Sequence, residues 1–198
     1  MRKRAELRKA EIVATLLELA DSIGPDRVTT GAVASAIGIT QAALFRHFPT
    51  KDTLWQTVAE HVAEGLEEAW DDALSRCDEP IARLRALIAA QFAQIATTPA
   101  LPMLLFSREL NVTNAELRAT FNSTLKAFHR LLAREVSAGQ EARAMRGDVM
   151  PDDVAVLLTS LVQGVAIRWA LGEREFDLRE EGLRLFDVQC RLLAARGE

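Results

Sequence analysis

Val28-Thr29-Thr30-Gly31-Ala32-Val33-Ala34-Ser35-Ala36-Ile37-Gly38-Ile39-Thr40-Gln41-Ala42-Ala43-Leu44-Phe45-Arg46-His47-Phe48-Pro49-Thr50-Lys51-Asp52 is the stretch that decides the fold. It reads as two short helices and the start of a long one, each opened by threonine. Thr29 or Thr30 caps a helix over Thr30–Ile37, Thr40 caps one over Gln41–Phe48, and Thr50 caps a third from Lys51. A hydroxyl at each cap accepts from an amide that the helix leaves without a partner. Gly38 stands where a tight turn can require positive φ, and Pro49-Thr50 ends the second helix. Ala34 lets the two helices approach closely. Val33, Ile37, Ile39, Leu44 and Phe48 form an inward apolar set, leaving Thr40, Gln41, Ala42, Phe45, Arg46 and His47 outside. This is the pattern of a helix-turn-helix, whose first helix braces a second that lies in the DNA major groove.

Upstream, Ile12, Leu16, Leu19 and Ile23 recur at helical spacing over Ala5–Ile23, and Gly24-Pro25 stops that helix. Downstream, Leu54, Val58, Val62, Leu66 and Trp70 stripe a helix from Lys51 to about Leu74. Five further helices are expected near Pro80–Thr97, Pro99–Leu110, Asn114–Ala138, Pro151–Leu171 and Phe176–Ala195. Pro80, Pro99 and Pro151 fall where a first-turn proline is tolerated, and Pro102 allows the second of these helices a later start. Ala138–Asp148, polar and small, reads as a mobile loop. No strand alternation, repeat or low-complexity tract interrupts the pattern. The expected fold is all-α, with about nine helices. Residues 1–50 form a helix-turn-helix domain and residues 51–198 a helical bundle.

Composition agrees with this. Of 198 residues 49% are hydrophobic, Gly and Pro are sparse, and Tyr is absent. That favours helices and suffices for a sizeable core. The net charge is −4, but residues 1–52 carry +2 and the remainder −6. A basic start on an acidic body suits an N-terminus that faces phosphate. Cys77 and Cys190 form no close-spaced motif and read as buried thiols of a reducing, cytoplasmic compartment. The charged Met1–Lys9 does not resemble a secretory segment. The longest apolar run, Val154–Leu171, is broken by Gln163 and Arg168, so no membrane association is expected. There is no Gly-rich phosphate loop, His-Glu-x-x-His or Cys-x-x-Cys, and His47, His61 and His129 are scattered. No catalytic centre, metal or cofactor is expected.

On the residues quoted above, the chain resembles the TetR/AcrR family of transcriptional regulators. The match covers about Ala5–Leu54, and its specific element is Phe45-Arg46-His47-Phe48 followed by Lys51, soon after Gly38-Ile39-Thr40. The C-terminal two-thirds is similar only in helix number and length. The resemblance implies a homodimer, usually a repressor, with a small-molecule pocket whose occupancy weakens DNA binding. The chain departs from the family at Phe45, where a Tyr hydroxyl would reach phosphate, and at Gly31, where other members carry a polar or basic residue. Base readout from the first helix of the motif is therefore not expected.

Chemistry assigns the remaining roles. Gln41 is long enough to bond adenine N6 and N7, Ala42 or Ala43 can touch a thymine methyl, and Arg46 can reach guanine or a phosphate. Thr30, Thr40, His47 and Lys51 are the expected phosphate contacts, with Arg2–Arg4 as a basic tail that follows the backbone or enters the minor groove. Two reading heads about 34–36 Å apart need a rigid two-fold interface. Leu158, Leu161, Val165, Trp169, Leu185 and Leu192 of the last two helices are expected there, with Leu178 beside them. Trp70, Phe92, Met103, Phe106, Phe121 and Phe128 are the expected lining of a pocket for an apolar or amphipathic effector. The partners expected are thus double-stranded operator DNA, a second copy of the chain and a small molecule. Activation of transcription, or a DNA-architectural or protein-interaction role, would use the same fold.

Overall fold

The computed structural model describes residues 2–195, with side chains over 4–195. The elements are α1 (Arg2–Ile23), a 3-10 turn (Pro25–Arg27), α2 (Thr30–Ala36), α3 (Gln41–Phe45), α4 (Lys51–Ser75), α5 (Pro80–Thr97), α6 (Leu101–Phe106), α7 (Arg108–Thr113), α8 (Ala115–Glu141), α9 (Pro151–Leu171) and α10 (Leu178–Leu193). Among the described residues there is no strand, only an isolated bridge between Met145 and Ala194. The all-α class read from the sequence is the class observed.

The three threonine caps form as the sequence implies. Thr29 Oγ1 accepts from Ala32 N, Thr40 Oγ1 from Ala43 N and Thr50 Oγ1 from Thr53 N, at 3.1, 3.1 and 3.0 Å. Gly38 adopts φ 69° and Gly24 φ 85°, conformations that side-chain-bearing residues rarely take. α3 is shorter than expected and ends at Phe45. Its last turn closes through His47 N and Phe48 N on Leu44 O, at 2.9 and 3.0 Å. The reason is local: Pro49 disfavours helical backbone in the residue before it.

The expected helix over Pro99–Leu110 is instead two, α6 and α7, which brings the total among the described residues to ten. Ser107 takes extended backbone (φ −66°, ψ 108°) between them. Its hydroxyl accepts from Leu110 N at 3.0 Å and donates to Asp26 Oδ1 at 2.5 Å. Asn111 Nδ2 donates to the carbonyls of Leu104 and Ser107, at 3.0 and 2.7 Å, so the end of α6 keeps its partners. Side-chain bonds of this kind compete with helix continuation.

The expected mobile loop is also organised. α8 runs to Glu141, and Gln140 Nε2 donates to the carbonyls of Arg146 and Val149, at 2.9 and 2.8 Å. Met145 is buried against Gly139.

The chain forms two compact units. The first comprises the chain up to Ala63 together with Thr98–Asn122, and the second comprises Glu64–Thr97 and the chain from Ser123. This differs from a division at residue 50. In the first unit α7 packs on the 3-10 turn, joined by the Asp26–Ser107 bond, so a sequence-distant segment belongs with the helix-turn-helix. In the second unit α5, α9 and α10 pack on one another. α9 is long and apolar enough to cross a membrane, with a mean hydropathy of 1.7. However, Val154, Leu158, Val162, Val165 and Trp169 are buried within this unit, and Arg168 bonds Glu181 of α10 at 2.5 Å. α9 is therefore a core helix of the bundle.

Candidate nucleic-acid interface

Val33 and Leu44 are fully buried between α2 and α3, and Phe48 closes the floor at 2% exposure. Ile37 and Ile39 are half-covered at the Gly38 turn. This small core fixes which side of α3 is free. Gln41, Ala42 and Arg46 are exposed there, and Ala43 is half-covered. Gln41 is not loose: its Nε2 donates to Thr30 Oγ1, at the start of α2, at 2.7 Å. Sequence reasoning placed both residues on the DNA-facing side but missed the bond between them.

Among the expected phosphate contacts, Thr40 uses a hydroxyl lone pair in its cap and stays exposed, while His47 is half-buried. Lys51, exposed at the start of α4, and Arg46 have no acidic partner among the described residues. Phe45 is 37% exposed and brings no hydroxyl to this surface. In the basic tail Arg4 is exposed, and the side chains of Arg2 and Lys3 lie outside those described.

The six expected pocket residues are shared between the two compact units. Trp70 and Phe128 stack in the second unit, with ring centroids 5.0 Å apart, and Trp70 Nε1 donates to Gln91 Oε1 at 2.9 Å. Phe92 is fully buried against Gly182 of α10. Met103, Phe106 and Phe121 belong to the first unit, the first two exposed and the third buried. The cavity that forms beside Trp70 has a volume of about 370 Å³. Glu67 and Asp71 of α4 and Arg130 and Arg134 of α8 line it, with Leu131. Its walls are charged rather than purely apolar. The i, i+4 spacing within each charged pair was the available sequence signal, since such residues share one helix face.

The expected dimer residues also divide. Leu158, Val165 and Trp169 are buried inside the protomer, so they offer no surface to a second copy. Leu161 and Leu185 are half-buried, and Leu192 is 66% exposed. The free side of α9 carries Val156, Leu157, Ser160, Gly164 and Leu171 instead. Its middle is apolar and small, with exposed Asp152 and Asp153 at the start of the helix and Arg168 near its end. No residue stands within 4 Å of a Cβ built on Gly164.

Residues 12–58 match the model of bacterial regulatory proteins of the tetR family, and residues 80–191 match that of the BetI-type transcriptional repressor C-terminal region. The nucleoid occlusion factor SlmA of Vibrio atlanticus is 26% identical over 197 residues, covering 98% of this chain and 97% of that protein. SlmA of Aliivibrio fischeri is 27% identical over 156 residues, or 78% of each chain. Among solved structures, a regulator from Saccharomonospora viridis in complex with choline superposes with a TM-score of 0.84. It is 20% identical and covers 96% of this chain and 100% of that one. The ketosteroid regulator KstR2 of Mycobacterium tuberculosis gives 0.79 at 17% identity, over 96% of each chain. With a helix-turn-helix held by threonine caps, an all-helical bundle following it in the chain and both regions matched, the chain belongs to the TetR family of DNA-binding transcriptional regulators.

Proposed function

We propose that the chain is a cytoplasmic, dimeric repressor that reads a pseudo-palindromic operator and leaves it when a small molecule binds. The observation that carries this reading is the exposed edge of α3, with Gln41 held in place and Arg46 beside it, over a fully buried Val33–Leu44 core. Gln41 reads an adenine, Ala42 and Ala43 meet thymine methyls and Arg46 reaches guanine or phosphate. Thr30, Thr40, His47 and Lys51 hold the backbone. The cavity beside Trp70 is the effector site, and its paired carboxylates and guanidiniums suit a polar or charged molecule. The effector acts by binding the DNA-incompetent state more tightly, and reversing occupancy from 99:1 takes roughly 5.5 kcal/mol of such preference.

Fluorescence anisotropy on the duplex upstream of the chain's own gene, against a scrambled duplex at two salt concentrations, tests the reading. Preference for the native duplex with a steep salt dependence supports it. Equal, weak binding to both, with no sequence then enriched from a random duplex pool, removes it. Gln41→Ala is expected to lose about 1–3 kcal/mol of discrimination at one base pair. Lys51→Ala is expected to weaken binding evenly and to lower the salt slope by about one. An unchanged slope takes Lys51 off the phosphate list.

The proposed two-fold interface is the free face of α9, completed by Leu192 of α10. Leu157→Glu is expected to leave the protomer folded, because Leu157 is 55% exposed, and to convert the dimer to monomer in sedimentation. A dimer that persists at micromolar concentration would place the interface elsewhere.

A second reading is favoured by the SlmA relatives, which match along nearly the whole chain. In that reading the protein marks DNA for other cellular machinery. Genome-wide binding separates the two, since few promoter sites support a repressor and many scattered sites support the architectural role.

A further inference from the structure

We infer that Thr30 is a specificity-positioning residue: its hydroxyl fixes the Gln41 carboxamide in the orientation that reads adenine. This rests on the proposal that Gln41 contacts a base. Gln41 Nε2 donates to Thr30 Oγ1 at 2.7 Å, across the turn that joins α2 to α3. A glutamine on a short helix otherwise rotates freely about its side-chain torsions. Its amide can then present either a donor or an acceptor to the groove, and it discriminates poorly.

With its own proton given to a backbone phosphate, as proposed above, the Thr30 hydroxyl can only accept from Gln41, and that removes the ambiguity. One N–H of the carboxamide goes to Oγ1. The second N–H and Oε1 remain on the other edge as an adjacent donor and acceptor. Adenine offers the complement in the major groove, an N7 acceptor beside an N6 donor. Guanine offers two acceptors there, so the fixed amide leaves O6 facing Oε1. Ordering the side chain before binding also lowers the entropy lost on contact.

Thr30 is free for this task because a different residue caps α2. The cap bond is Ala32 N to Thr29 Oγ1, so the hydroxyl of Thr30 is not needed to hold the helix. The anchoring is rigid, since α2 and α3 pack over fully buried Val33 and Leu44. This role differs from a backbone contact made by the same hydroxyl, which would act on all sequences alike.

The test uses the full chain and a duplex enriched by the wild-type protein from a random-sequence pool. Affinities are then measured on that duplex and on its single base-pair substitutions. Gln41→Ala flattens one A·T position. Thr30→Val, which keeps the side-chain shape and removes the acceptor, reduces discrimination at that same position by roughly tenfold. Thr30→Ser retains it. Thr30→Val with Gln41→Ala discriminates no worse than Gln41→Ala alone. Circular dichroism and unfolding curves of Thr30→Val match the wild type. The inference is overturned if Thr30→Val lowers affinity equally on every duplex or if Thr30→Ser behaves as Thr30→Val does. If Gln41→Ala flattens no position, or no sequence is enriched, the base-reading premise fails and the inference falls with it.

Discussion

Glu135→Ala is expected to destabilise the chain by about 3 kcal/mol, the lower end for breaking a buried ion pair by removing one partner. Glu135 is only 4% exposed and sits at the centre of a guanidinium cluster. Arg83 Nε and Nη2 donate to its two oxygens at 2.8 and 3.2 Å, and Arg134 Nε and Nη2 donate to Oε1 at 3.0 and 2.9 Å. Arg83 Nη1 also donates to the carbonyls of Leu74 and Cys77, both at 3.0 Å. Those carbonyls lie at and just beyond the end of α4, where the helix cannot satisfy them itself. One guanidinium therefore ties the end of α4 to α5 and α8. Without Glu135 the Arg83 charge stays a quarter exposed and unpaired, which is why the lower end of the range applies. Replacing the pair together, Arg83→Met with Glu135→Leu, is expected to recover most of the loss. Urea unfolding measures both, and a loss below about 0.5 kcal/mol for Glu135→Ala would place the pair among ordinary surface bridges.

The same cluster gives a pH dependence with a definite sign. Burial opposes the charge on Glu135, but hydrogen bonds from Arg83 and Arg134 outweigh it and hold the carboxyl below its ordinary 4.5. A carboxyl whose folded pKa is depressed stabilises the folded state fully above its unfolded value. The contribution is therefore complete above about 4.5 and is lost as pH falls through the lower folded value. Stability of the wild type should fall more steeply in acid than that of Glu135→Ala. Parallel curves would mean that the carboxylate is not held in its charged form by the fold.

Gly182→Ala is expected to be destabilising although alanine is the better helix former. Propensity alone would favour the change by about 1 kcal/mol in a helix interior. A Cβ on Gly182 would stand 2.2, 2.4 and 2.6 Å from Phe92 Cε2, Cζ and Cδ2. The ring is fully buried where α5 and α10 meet, so it has no open direction to yield. Contacts this short against a ring with nowhere to move belong at the upper end of the overpacking range, about 3 kcal/mol, which leaves a net loss of about 2 kcal/mol after the propensity gain. At roughly 2–4 °C per kcal/mol for a chain of this size, a net loss of about 2 kcal/mol lowers Tm by about 4–8 °C. Gly65→Ala in α4 is the control, since its nearest neighbour would be Gln94 Oε1 at 3.9 Å, and it should be neutral or stabilising. A Gly182→Ala protein as stable as the wild type would show that α10 slides on α5 without penalty.

The sequence by itself determined what is decided within a few residues along the chain. Thr29, Thr40 and Thr50 cap helices because a hydroxyl reaches amides two or three positions on, and Gly38 turns because it alone accepts that φ without strain. Hence the helix-turn-helix, its buried Val33 and Leu44 and its exposed Gln41 and Arg46 were legible. Apolar periodicity likewise placed α4, α8, α9 and α10. It did not show which apolar face meets the protomer's own core: Leu158, Val165 and Trp169 point inward, while Val156 and Leu157 are left free. A stripe records that a face is buried, not against what. Only the tertiary structure brought together residues far apart in sequence. Asp26 with Ser107 breaks a helix in two, Arg83 with Glu135 secures the end of α4, Gly182 admits Phe92, and Thr30 holds Gln41. Each depends on chain segments meeting in space, and no local propensity encodes which distant partner a polar or small residue will find.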